Sequence, residues 1–304
     1  MAQAGFQDRK RLPVAALAVV AASIAWASPV SAADVALVRP TGSAQFDEAA
    51  AAVRAEVGSV VEITIDTKAT AADVAEKIRA SGARSVIAIG ARAAQVLSSS
   101  PVPVVACMVL GETVGSPVVT VSLAVAGAEQ LTTLKRLAPS VKTVGVIYDG
   151  SKNASALRDL GSAARAQGLK IVGKSVPSSN DAIAALEAML PSVDALLVIP
   201  DASVVSKQFL EIVVARAFER RLPVLTYSEA YVKLGLLAAL APSYAANGKR
   251  AGALAKRLAA GDSGQEAMQR TEGVLVVNVG TARRIGLSLS PDILQPPTVT
   301  VGGS

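Results

Sequence analysis

Apolar runs of six to eight residues alternate along this chain with Ala-rich stretches, and that alternation carries most of the structural information. The runs at 34–40, 60–65, 85–90 and 102–109 read as strands. The intervening stretches at 45–57, 71–81 and 91–98 read as helices. The second of these starts near Thr70 or Ala71 and stops at Gly82, because a glycine just past a helix readily takes the left-handed conformation that ends it. Strand–helix alternation of this kind predicts a parallel sheet covered by helices on both faces. An extended segment at 117–124 is a hinge candidate. A second unit then repeats the organisation, with strands at 143–149, 169–176, 195–201 and 222–228 and helices at 129–137, 154–167, 181–190 and 204–220. Asn180 is the expected N-cap of the third of these helices.

The last stretch completes the pattern. Two apolar runs, 234–240 and 274–279, flank a helix at 247–260 and a polar segment at 261–273, and a short helix follows at 281–285. This is the pattern of a chain passing repeatedly between two lobes. The expected architecture is α/β, with two doubly wound parallel-sheet lobes joined by a multi-strand hinge. Residues 33–121 plus about 236–270 are expected to form lobe 1, and 122–235 plus about 271–294 lobe 2, with 295–304 as a tail. In open parallel sheets, ligands bind at the carboxyl ends of the strands, so the cleft between the lobes is the expected site.

Composition changes this picture at the N-terminus. Arg9, Lys10 and Arg11 precede an apolar stretch from Val14 to Trp26, and Val30-Ser31-Ala32 has the small-residue spacing of a signal peptidase site. The apolar stretch is shorter than the ~20 residues of a spanning helix. Residues 1–32 are therefore expected to be a cleaved signal peptide that directs the protein to a periplasm. No cysteine stands at the cleavage site, so a lipoprotein is not expected. The single cysteine, Cys107, lies in an apolar run and reads as a small core residue.

The chain carries 30 Lys and Arg against 24 Asp and Glu, but the basic residues are scattered and aromatics make up only 3%. A nucleic-acid partner is therefore not expected. There is no histidine, no Cys/His cluster, no phosphate-binding loop lysine and no G-x-G-x-x-G after the first strand. These absences argue against catalysis, a metal site or a cofactor.

Six segments carry a family resemblance: Gly90 with Ala93-Ala94-Gln95; Leu131 to Pro139; 144–149 (VGVIYD); 193–206; 222–244 (LPVLTYSEAYVKLGLLAALAPSY); and 276–294 (VVNVGTARRIGLSLSPDIL). In this order they resemble the substrate-binding proteins of ABC transporters, the family that includes tryptophan- and tyrosine-binding lipoproteins, with a fold similar to type I periplasmic binding proteins. The resemblance implies capture of a small, amino acid-like solute by lobe closure and delivery to an ABC permease in the inner membrane, by a monomer. Segment 107–127 departs from the family pattern: it lacks an Asp-Pro pair after the fourth strand, and the hinge loop reads Val121-Ser122-Leu123-Ala124; separately, Ala91 stands right after Gly90 where a small hydroxyl is common. This motivates an alternative, a binding module repurposed for sensing or envelope-protein interaction.

The candidate ligand contacts sit at strand ends, and each has a plainer reading. Gly90-Ala91-Arg92 opens a helix whose free N–H groups, with Arg92, suit a carboxylate or phosphate; equally it is an ordinary β–α turn. Tyr148, Asp149, Ser151 and Asn153 offer an aromatic wall and polar groups, or only a turn and a cap. Asp201 and Ser203 present a partner for a ligand ammonium, or a helix N-cap. Ser228 and Glu229, after Tyr227, and Ser43, after the first strand, complete the set. Asn278 reads as a hinge or turn contact.

Overall fold

The computed structural model describes residues 34–110, 118–262 and 268–302. The expected signal peptide, the 111–117 part of the departing segment and the 263–267 part of the polar connection lie outside the described residues.

The first lobe is built on β1 (Val35–Pro40), β2 (Val61–Ile65), β3 (Ser85–Ile89), β4 (Val104–Val109) and β5 (Val118–Ser122), with α1 (Ala44–Val57), α2 (Ala71–Ser81) and α3 (Ala91–Val96) between them. The second lobe continues with α4 (Gly127–Leu137), β6 (Thr143–Tyr148), α5 (Gly150–Ala166), β7 (Lys170–Ser175), α6 (Ser179–Met189), β8 (Ala195–Leu197), α7 (Lys207–Arg220), β9 (Val224–Thr226) and α8 (Glu229–Lys233). The chain then runs through β10 (Ala238–Pro242), α9 (Tyr244–Ala259), β11 (Gln269–Arg270), β12 (Gly273–Asn278), α10 (Val279–Arg284) and β13 (Val299–Val301).

Among the described residues these strands form two sheets. One has the order β11-β5-β4-β3-β1-β2 and is parallel throughout; the other has the order β13-β12-β10-β9-β8-β6-β7 and is parallel except where β12 runs against β10. The central strands of both sheets are buried on two sides, which is why they read as continuous apolar runs, whereas the edge strands β2 and β7 are partly exposed. In the first, Val35, Leu37, Ile87 and Ile89 pack on α1 and α9, while Ala36, Val38, Val86 and Ala88 pack on α2 and α3. In the second, Val144, Val146 and Leu197 meet α4 and α5, while Ile147, Leu196 and Val224 meet α6 and α7.

The helix caps were largely legible. The Thr70 side chain accepts from the Asp73 N–H, and Gly82 ends α2 at φ 72°. Asn180, however, lies inside α6, and Ser178 is its cap. The strand expected at 234–240 is observed at Ala238–Pro242. It pairs with β9 and β12 in the second sheet, not with the first lobe as expected; only α9 and β11 of that stretch return to the first lobe. The tail contributes β13, parallel to β12.

Candidate functional site

A cavity of about 560 Å³ lies where the carboxyl ends of the second sheet face the crossover segments. Its floor is apolar: Ile199 and Pro200 follow β8, Leu240 and Pro242 end β10, and Tyr227 follows β9. One wall is a face of α5, on which Asn153, Ala156, Leu157 and Leu160 recur at helical spacing. The opposite wall is Leu110, just past β4 and 62% exposed, together with Ser122 to Val125 of the first crossover. Met268, just before β11, and Arg270 within it close the cavity. Across the cavity, Arg270 Nη2 lies 3.3 Å from Asp159 Oδ2 of α5. Lys152 is the second lining cation.

Beside this cavity the ends of β6 and β8 are knitted into one polar cluster. The buried Asp201 carboxylate accepts from the Asp149 N–H (2.7 Å) and Asn153 Nδ2 (2.8 Å) through one oxygen, and from the Ser203 N–H (3.0 Å) through the other. Asp149 caps α5: its Oδ1 accepts from the N–H and hydroxyl of Ser151 at 2.9 and 2.6 Å. Lys152 Nζ sits 3.5 Å from Asp149 Oδ2 and donates to Ser203 Oγ. The bonds from Ser151, aided by Ser203 and Lys152, hold the Asp149 carboxyl down to about 2. The Tyr227 phenol is shifted the other way, upward, by burial first, then by its 3.1 Å contact with the Tyr231 hydroxyl and by the charges of Tyr231 and Asp201.

The structure thus unites the residues read from two separate strand ends, and of the twelve candidates Asn153 lines the cavity itself. Asp149, Ser151, Asp201 and Ser203 stand behind it, holding one another. Tyr148 packs into the core beside Leu157. Ser228 opens α8 without a side-chain cap, and Glu229 pairs with Lys233 at 2.5 Å. The first-lobe candidates lie outside the cavity. Gly90, at φ 86°, is covered by the Phe46 ring, which would sit 2.9 Å from an added Cβ. Ala91 is exposed at the start of α3. Arg92 is spent on the carbonyls of Thr67 (3.2 Å) and Ala69 (2.8 Å). Ser43 donates to Gln45. Asn278 caps α10 through Thr281, the turn contact expected of it.

Sequence reasoning missed Leu110, Asp159, Met268 and Arg270. The spacing of 153, 156, 157 and 160 on one helix face was a usable signal for the α5 wall. Nothing local could have joined Asp159 to Arg270.

The model of the ABC transporter substrate binding protein family matches residues 59–301. The chain belongs to that family. No curated protein sequence matches this substrate-binding protein. Among solved structures it is similar to the ligand-free, open structure of a substrate binding protein with adhesive properties from Clostridium difficile (20% identity, 89% of this chain and 99% of that chain, TM-score 0.71). It is also similar to an ABC domain in complex with L-Trp from Streptococcus pneumonia (20% identity, 87% and 98%, TM-score 0.59). A LacI family transcriptional regulator from Bifidobacterium animalis subsp. lactis shares the fold at 13% identity (80% and 95%, TM-score 0.50). At these identities the likeness is one of fold, the two-lobed type I periplasmic binding protein-like architecture. Substrate-binding proteins of this kind bind solutes rather than transform them. Among the described residues no helix is long and apolar enough to cross a membrane.

Proposed function

We propose that this protein captures a small, amino acid-like solute in the cavity between its lobes and presents the closed form to an ABC permease, acting as a monomer in the periplasm. The observation that carries the reading is the cavity lining. A mostly apolar enclosure suits the body of a small solute, and the loosely apposed Arg270 and Asp159 at its edge match the carboxylate and ammonium of a zwitterion. A guanidinium has five N–H donors, so Arg270 retains capacity for a carboxylate beyond its contact with Asp159. Asp201 is a weaker ammonium partner, because its oxygens already take three protein donors. Closure of two lobes about a hinge would bury such a ligand and distinguish the loaded form from the empty one.

The test is a thermal-shift screen of the purified protein against amino acids, small carboxylates and nucleosides. A true binder at about a hundredfold excess over its Kd stabilises by about 2.7 kcal/mol. A rise in Tm confined to amino acids supports the reading; a rise with carboxylates or nucleosides alone overturns the zwitterion assignment, and no rise with any probe overturns solute capture.

A further inference from the structure

Among the described residues the chain passes between the lobes three times: from β5 to α4, from β10 to α9, and from β11 to β12. One side chain touches the first-lobe end of all three. Asn247 lies in the second turn of α9, four residues past Ser243, and is 0% exposed. Its Nδ2 donates to Val121 O (3.0 Å), Ser122 O (3.4 Å) and Thr271 Oγ1 (2.6 Å), and the Thr271 hydroxyl in turn donates to Ser122 O at 2.8 Å. The first and third crossovers are thereby tied to the helix that follows the second.

The other end of the same amide holds the strand that leads to the cavity wall. Asn247 Oδ1 accepts the N–H of Met108 at 2.8 Å. Met108 is the extra residue of a bulge in β4 and sits at φ 59°, a left-handed conformation that a long side chain adopts only when its surroundings hold it there. The bulge re-registers the strand so that Val109 meets Ser122, and Val109 O accepts the N–H of Leu123 at 2.7 Å. Leu110, the next residue, and Leu123 both line the cavity. Beneath them α9 is seated on α1 so closely that a Cβ on Gly248 would lie 2.2 Å from Ala49 O.

We propose that Asn247 is a positioning residue for solute capture: it locks the three crossovers and the Met108 bulge into one block, which fixes the Leu110–Leu123 wall relative to the hinge and confines lobe motion to the second-lobe side of the knot. An amide is suited to this position. It supplies two N–H donors and an acceptor from one rigid plane, whereas a hydroxyl has a single proton to donate and a carboxylate has none. A fully satisfied buried network of this kind specifies one arrangement because each alternative leaves a buried polar group unpaired.

The functional meaning rests on the capture reading, but the measurement is made without solute, so the two fail separately. Spin labels are placed through Lys68→Cys on the first lobe and Lys207→Cys on the second; both parent side chains are exposed. Cys107 is left in place, since it is fully buried and burial pushes its thiol up to about 12. Pulsed electron paramagnetic resonance then reads the interlobe distance distribution. The labelled parent should give one narrow distribution, and Asn247→Ala should widen it by about twofold or more, as expected when a hinge loses its stop. Thr271→Val keeps shape but removes one leg of the knot and should widen it to a smaller extent. Ser178→Ala, which removes a remote cap, should leave the width unchanged. Unchanged widths in both hinge variants overturn the proposal, as does equal widening by Ser178→Ala. If Asn247→Ala fails to fold, Thr271→Val decides alone.

Discussion

At the scale of single residues, two side chains in the second lobe have opposite relations to their surroundings. Asp149 is held ionised by the donors of Ser151, which depresses its folded pKa to about 2 against about 3.9 in an unfolded chain. A depressed carboxylate stabilises the fold fully above the unfolded value, and loses that contribution as pH falls through the folded one. Asp149→Asn should therefore be less stable than the parent at pH 5–7, and the gap should close between about pH 4 and 2, as read from urea midpoints across that range. Thr226 is the reverse case. Its Oγ1 is buried with no hydrogen-bond partner among the described residues, and the side chain is only 2% exposed. Thr226→Val removes the unsatisfied hydroxyl at constant shape and should raise stability by about 1 kcal/mol. A fall in the denaturation midpoint would show that the hydroxyl is satisfied in solution.

At the scale of elements, the pairing of α1 with α9 shows packing overriding propensity. Glycine in a helix interior costs about 1 kcal/mol relative to alanine, yet α9 carries Gly248 and Gly252 on the face that meets α1. At Gly248 the neighbour is backbone, Ala49 O and C at 2.2 and 2.8 Å from an added Cβ, so no rotamer change relieves it. Gly248→Ala should therefore lower stability by about 2 kcal/mol or more, the overpacking cost exceeding the propensity gain. A rise in Tm for this variant would mean that the two helices part freely. Other elements were legible locally, as with Thr70 and Gly82 at the ends of α2. The five residues of α8 were hidden between apolar runs, and β8 and β9 are shorter than the apolar runs that announced them; past β8 the chain turns to set Asp201 and Ser203 in their polar cluster.

At the scale of the whole molecule, the cavity depends on relations between lobes. Asp159 of α5 and Arg270 of β11 meet across the cavity although α5 belongs to one lobe and β11 to the other. If a zwitterion is held between them, Asp159→Asn and Arg270→Gln should each weaken binding of the amino acid that shifts Tm by roughly ten- to a hundredfold, the loss of one charge-assisted hydrogen bond worth about 1.5–3 kcal/mol. Calorimetric titration checks this, and affinity unchanged in both variants would remove them from the site. Ser203→Ala, which stands behind the cavity, should have the smaller effect.

Most of the architecture was readable from the chain because its causes are local. A strand buried on two faces must be a continuous apolar run, and capping residues must sit next to the helices they end. The likeness to a solute-binding family came instead from six particular segments in the family's order, and the family model matches residues 59–301. The choice of sheet for Ala238–Pro242 was not readable, since an apolar run announces a strand without naming its neighbour. Nor was the cavity: Arg270 lies 111 positions from Asp159, and Asn247 lies 139 from Met108. Contacts of that span are set by how two sheets are threaded together. Strand ends pointed to the region around Asp149 and Asp201, beside the cavity, but which side chains face the open space and which turn inward to hold one another is a matter of packing, and packing exists only in the folded molecule.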